Sequence, residues 1–214
     1  MKRKLPFTPF NLSSGVSYSE KGKAHCYLDI TGTLGFDIDL QEWKNSRDQV
    51  KGHLHDLNLH EPDHITLTIT CAGGDAVSGF DLYDLLITNR IPVHTRLSGR
   101  NGMAALIALQ AGRERSIAEG ATGLICGDAI PVCDYINQNT VQQLREVLEQ
   151  SNQAIIEFIP KHTNLKDYEV KRMMRVKFPK AQSRKQLMDM GFAGDNSAHQ
   201  RQLELERIKN NRRL

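Results

Sequence analysis

Gly73 and Gly74 close a run in which apolar and polar residues alternate from Ile65 to Thr70, and a helix-forming stretch, 76–89, follows at once. Alternation at period two reads as a half-buried strand over 65–70. A glycine pair between a strand and a helix leaves backbone N–H groups open to close approach, the arrangement that holds an oxyanion or a phosphate. The remaining groups with chemistry to offer are thiols, hydroxyls and imidazoles. Cys71, Cys126 and Cys133 are candidate thiols, Ser78 and Ser98 candidate hydroxyls, and His53, His55, His60 and His64 crowd together before the strand. Pro62 keeps His60 and His64 off one helical face and no cysteine completes a ligand set, so these histidines read as solvated loop residues. No metal and no cofactor is expected. The four cysteines fit neither zinc spacing nor a dense disulfide framework, which argues for a reducing compartment.

The elements that must position these groups follow from periodicity. A strand over 24–30 ends in a glycine-rich turn at 31–35, and a helix then opens with Asp39 as N-cap, carrying Trp43, Val50, Leu54 and Leu57 near one face until Pro62. A second core strand, 93–97, runs through Ser98-Gly99-Arg100-Asn101-Gly102 into a helix of small residues, 103–112. A strand at 122–125 leads to Cys126. The longest helical signal is 135–159, where Val141, Leu144, Val147, Leu148, Ile155, Phe158 and Ile159 recur at steps of three and four, and Pro160 is expected to stop it. Asn164 or Asp167 would cap the next short helix, Ser183 and Gln186 form a capping box for a last one, and Asp128 and Asp134 look like turn and cap residues.

This arrangement resembles the proteolytic subunit of Clp protease, in particular the Clp-like peptidases of phages and prophages. In that family a strand ends in a proline-glycine-glycine turn, and a glycine four residues before the nucleophilic serine opens a helix closed by Ala-Gly. Gly99 and Ala111-Gly112 bracket the equivalent slot here without a gap, and it holds Met103. The histidine slot, fourteen residues after Gly112, holds Cys126. Counting back from the Ser183 helix puts Pro179 in the acid slot. The resemblance implies an α/β fold of the ClpP/crotonase type, stacked strand-strand-helix units with a protruding handle helix at about 135–159. It also implies an oxyanion-hole remnant made of Gly73, Gly74 and the N–H of Ala104, beside the alternative that the glycines merely serve the turn. Oligomerisation would run through Val141, Leu144, Leu148, Ile155 and Phe158.

A thioether cannot be deprotonated into a nucleophile, and a thiol cannot shuttle two protons as imidazole does. Losing serine or histidine from such a triad costs on the order of a million-fold in turnover. The expectation is therefore a catalytically inactive family member acting as a structural or regulatory ring subunit, with a homo-oligomeric ring, an active Clp-type paralogue or an unfoldase as partners. Two alternatives stand beside it: a divergent peptidase or crotonase-like acyl enzyme using the glycine turn, and a phage head-assembly scaffold.

Composition bounds these readings. A chain of 214 residues, 39% hydrophobic, supports one core. The expected organisation is an arm at 1–23, a ClpP-like domain at 24–195 and a polar basic tail at 196–214. The basic start Met1-Lys2-Arg3-Lys4 lacks the apolar run of a secretory signal, and no run approaches the ~20 apolar residues of a membrane span, so a cytoplasmic protein without a membrane partner is expected. The net charge of +3 gives no global argument for nucleic-acid binding, and no nucleic-acid partner is expected.

Overall fold

A computed structural model describes residues 12–19, 22–37, 42–128 and 137–195. Its spine is β4 (Ile65–Gly74), whose Ile65, Leu67, Ile69 and Cys71 are fully buried while the threonines between them face the other side. Parallel neighbours flank it, β2 (Ala24–Asp37) on one side and β5 (Val93–Leu97) on the other. The sheet runs β1 (Leu12–Tyr18), β2, β4, β5, β7 (Glu114–Ile117) and β10 (Gly194–Asp195), with β3 (Glu42–Lys44) paired to β2. A second, three-stranded sheet holds β6 (Arg100–Asn101), β8 (Thr122–Gly123) and β9 (Gln182–Ser183).

Helices α1 (Arg47–Asn58), α2 (Ala76–Ile87) and α3 (Met103–Leu109) supply the core with the buried side of the large sheet. Every residue of α3 is buried, which explains its small side chains: a helix enclosed on all sides has no room for a polar face. Helix α4 (Gln138–His162) crosses this body at its C-terminal end, followed by α5 (Asp167–Met174) and α6 (Arg184–Asp189). The α/β architecture expected from the sequence is the one observed.

Several boundaries differ from expectation. The glycine-rich stretch 31–35 is not a turn: β2 continues through it, with a register shift between Gly32 and Thr33. The buried Asn45 side chain clamps that irregularity by donating to the carbonyls of Thr31 (2.9 Å) and Thr33 (2.7 Å). Because β2 turns back as β3, Trp43 falls in a strand, and α1 begins at Arg47 after Ser46, whose N–H donates to Gln49. Asp39 lies outside the described residues. Part of the supposed arm is β1, antiparallel to β2.

The helix 76–89 ends at Ile87, the small-residue helix at Leu109, and the strand at 122–125 pairs only at Thr122–Gly123. Pro160 does not stop α4. It sits in the last turn, where Phe158 and His162 pack on Tyr83 and the Thr163 hydroxyl donates to the carbonyl of Ile159. Lys166, not Asn164 or Asp167, is the N-cap of α5. The capping box at Ser183 is as expected, with Gln186 accepting from the Ser183 N–H at 2.9 Å. His53 and His55 lie within α1 rather than in a loop, and His64 stacks on His94 with ring centroids 4.1 Å apart.

Candidate functional site

The C-terminal end of β4 and the start of α3 are pinned together by three contacts. Gly102 N–H donates to the Cys71 carbonyl at 2.8 Å, and the Asn101 side chain accepts from Cys71 N–H at 3.1 Å while donating to the Ser98 carbonyl at 2.9 Å. A Cβ on Gly102 would lie 2.8 Å from the Ala72 carbonyl oxygen, so this approach requires glycine. Asn101 is 3% exposed and organises the corner, yet no periodic pattern marks it in the sequence. The result sets the Ala72-Gly73-Gly74 segment beside the first turn of α3, where the N–H of Ala104 has no intrahelical acceptor.

Gly74 and Gly73 differ in what holds them. Gly74 has φ +123° and pairs with Leu34 of β2, whose carbonyl oxygen would stand 2.3 Å from an added Cβ, so the fold alone demands glycine there. Gly73 meets only ordinary contacts, the nearest being Thr33 Oγ1 at 3.5 Å.

Met103 is the first residue of α3, nearly buried, and its backbone N–H reaches the sulfur of Cys126. The structure thus brings the first two slots together. Burial raises the Cys126 thiol pKa above its ordinary value, the Asp128 charge adds to the rise, and the Met103 N–H partly opposes it. The group is a protonated thiol near neutral pH, with little nucleophilic character. Pro179 lies in the loop before β9. Thr122 faces Ser183 and Gly123 faces Gln182 in antiparallel register, and the pairing ends there, short of both Cys126 and Pro179. Cys71 is inert by burial, its pKa pushed up to about 12. Cys133 and Asp134 lie outside the described residues.

Asp128 is the group whose importance exceeds its appearance in the sequence. One carboxylate oxygen accepts from Ala76 N–H at 2.9 Å, the first helical residue of α2, and the other accepts from the Ser151 hydroxyl of α4. Its own N–H donates to Asn152 Oδ1 at 2.8 Å. The chain after Cys126 is therefore tied to two helices, and the open N-terminus of α2 is already occupied by an internal carboxylate. These partners are 52, 23 and 24 residues away, beyond any local signal. Ser78 is likewise committed, its N–H and hydroxyl both bonded to Asp75. The imidazoles are engaged elsewhere: His53 with Ser14, His60 with Tyr18, His64 with His94, and His162 with Phe158 and Tyr83.

On the handle, the expected stripe divides. Ile155 is fully buried in this chain's own core, and Phe158 packs edge-on to Phe80 and Tyr83 at 5.2 and 4.8 Å, so both serve the fold. Val141 and Val147 are exposed, with Leu144 and Leu148 half-buried beside them.

The parallel strands, the glycine turn at the end of β4 and the helix that starts beside it define a ClpP-type α/β protein. The chain belongs to the Clp protease family, whose model matches residues 37–193. Among solved structures, a ClpP1 mutant from Listeria monocytogenes shares the fold with a TM-score of 0.62 at 16% identity, over 78% of this chain and 88% of that one. Among curated proteins none matches in sequence. No described helix is long and apolar enough to cross a membrane.

Proposed function

We propose that this chain is a non-catalytic member of the Clp protease family, acting as a structural or regulatory ring subunit. The observation that carries the reading is the contact of the Met103 backbone N–H with the Cys126 thiol at the start of α3, which brings together a methionine and a cysteine where the family resemblance calls for serine and histidine. Neither supplies a hydroxyl nucleophile or a general base, and the neighbouring carboxylate, Asp128, is bonded into the scaffold. The ring-building domain takes in β1 together with 24–195, because β1 pairs along β2, and 196–214 is its tail. The exposed Val141 and Val147, with Leu144 and Leu148, are the part of α4 left to meet another subunit. Partners of the same chemistry are further copies of this chain, an active paralogue or an unfoldase, in the cytoplasm. Light scattering, on the protein alone and mixed with an active Clp-type subunit from the same source, tests assembly: a monomer in both samples contradicts it.

A second reading keeps an acyl-binding function, and Gly73 favours it, because sterics do not demand glycine there. A thermal-shift titration with acyl-coenzyme A separates the two. Ligand at a hundred times its dissociation constant adds about 2.7 kcal/mol, whereas the non-catalytic reading expects no shift.

A further inference from the structure

The overall charge of +3 hides a strong segregation. Seven of the chain's 28 Lys and Arg residues, and none of its 25 Asp and Glu residues, fall in 171–185, so the remainder is net acidic. All seven are exposed: Lys171, Arg172, Arg175, Lys177, Lys180, Arg184 and Lys185. Arg184 donates to the Ile117 carbonyl, but the other six make no ion pair among the described residues. On exposed α4, Glu149 pairs with Arg145, while Glu146 and Glu157 accept from the neutral amides of Gln142 and Gln153. Only Glu149 of these three is neutralised by an ion pair, so a second copy could match the ridge by charge alone but would bring no use for its aromatic faces.

The ridge also carries aromatic faces. Tyr168, Lys171, Arg172 and Arg175 recur at helical spacing on one side of α5, with Tyr168 61% exposed. The loop that follows presents Phe178 at 78% exposure, with the Lys177 ammonium 5.7 Å from its ring centroid. Free cations beside exposed rings are what a single-stranded nucleic acid needs: charge along the phosphates and flat surfaces on which unpaired bases stack. An acidic peptide would use the charges and leave the rings idle.

We propose that residues 168–185 form a binding surface for single-stranded nucleic acid, independent of whether the Met103–Cys126 site turns over a substrate. The test is fluorescence anisotropy of a labelled thymidine 20-mer and the matching RNA with the full-length protein, between 50 and 200 mM salt. Six phosphate contacts give a slope of log affinity against log salt of about −4, roughly a 300-fold loss over this range. The double variant Lys177→Glu with Lys180→Glu should weaken binding and flatten the slope by about 0.7 for each cation removed. Phe178→Ala should weaken binding roughly 5-fold or more at unchanged slope. Each variant is checked by circular dichroism melting, and because these side chains are exposed, folding should be unaffected. The proposal is overturned by absence of binding at 50 mM salt, or by binding that survives the ridge variants and is lost with Arg201→Glu and Arg207→Glu in the tail. Indifference to Phe178→Ala together with equal competition by polyglutamate would overturn it in favour of an acidic protein partner.

Discussion

Replacing Asp128 by alanine removes the junction that ties the segment after Cys126 to α2 and α4. The carboxylate accepts two hydrogen bonds, from the buried Ala76 N–H and from the Ser151 hydroxyl, and it faces the positive end of α2. Hydrogen bonds to a charged acceptor contribute about 1.5–3 kcal/mol each, and the lower bound suits a half-buried site. Adding about 0.5 kcal/mol for the helix terminus gives a loss of roughly 3.5 kcal/mol. For a chain of this size that is a fall of about 7–14 °C in melting temperature. Urea unfolding at fixed protein concentration measures it. A cycle with Ser151→Ala should reveal coupling of about 1 kcal/mol, since both variants break the same bond. A loss below about 0.5 kcal/mol for Asp128→Ala, with strictly additive single effects, would refute the assignment of Asp128 to the scaffold.

Gly74→Ala should abolish soluble expression or cost about 3 kcal/mol or more, from the positive φ and the Leu34 carbonyl in its path, whereas Gly73→Ala should stay within about 1 kcal/mol; thermal melting compares them. Ile155→Ala should lose about 2–5 kcal/mol of stability, while Val141→Ala and Val147→Ala should leave it within about 0.5 kcal/mol in the isolated subunit, as chemical denaturation will show. Cys71 and Tyr83 are both pushed up to about 12, chiefly by burial, so each holds its proton in the folded state after the unfolded chain has lost it. The folded state then binds more protons, and stability falls as pH rises from about 8.5 toward 12; Cys71→Ala should make that alkaline fall shallower, and an unchanged profile would count against it.

The parts of the fold legible in the sequence are those whose pattern is local. Ile65 to Cys71 alternates cleanly because one face of β4 is core and the other is not. The small residues of α3 announce a helix with no outward face, and Ser183 with Gln186 marks a helix start within four positions. What the pattern misplaced depends on distant partners. Gly32 and Gly35 look like a turn, yet β4 holds β2 extended and Asn45 clamps its irregularity, moving the start of α1 to Ser46. Pro160 looks like a stop, but aromatic packing on Tyr83 sustains the turn that contains it. At the candidate site, counting from glycines was enough to place Met103 beside Cys126, because α3 leaves the sheet at a fixed corner. Counting could not find Asn101 or Asp128, whose partners come from other elements.

The central claim is that Met103 and Cys126 stand where a hydrolytic centre would keep its nucleophile and base. Incubating the purified full-length protein with a panel of fluorogenic peptides, beside its Cys126→Ala and Ser98→Ala variants, tests it most directly. Cleavage at the buffer rate in all three is the expected result. Turnover by the unsubstituted protein that disappears in either variant would contradict the account.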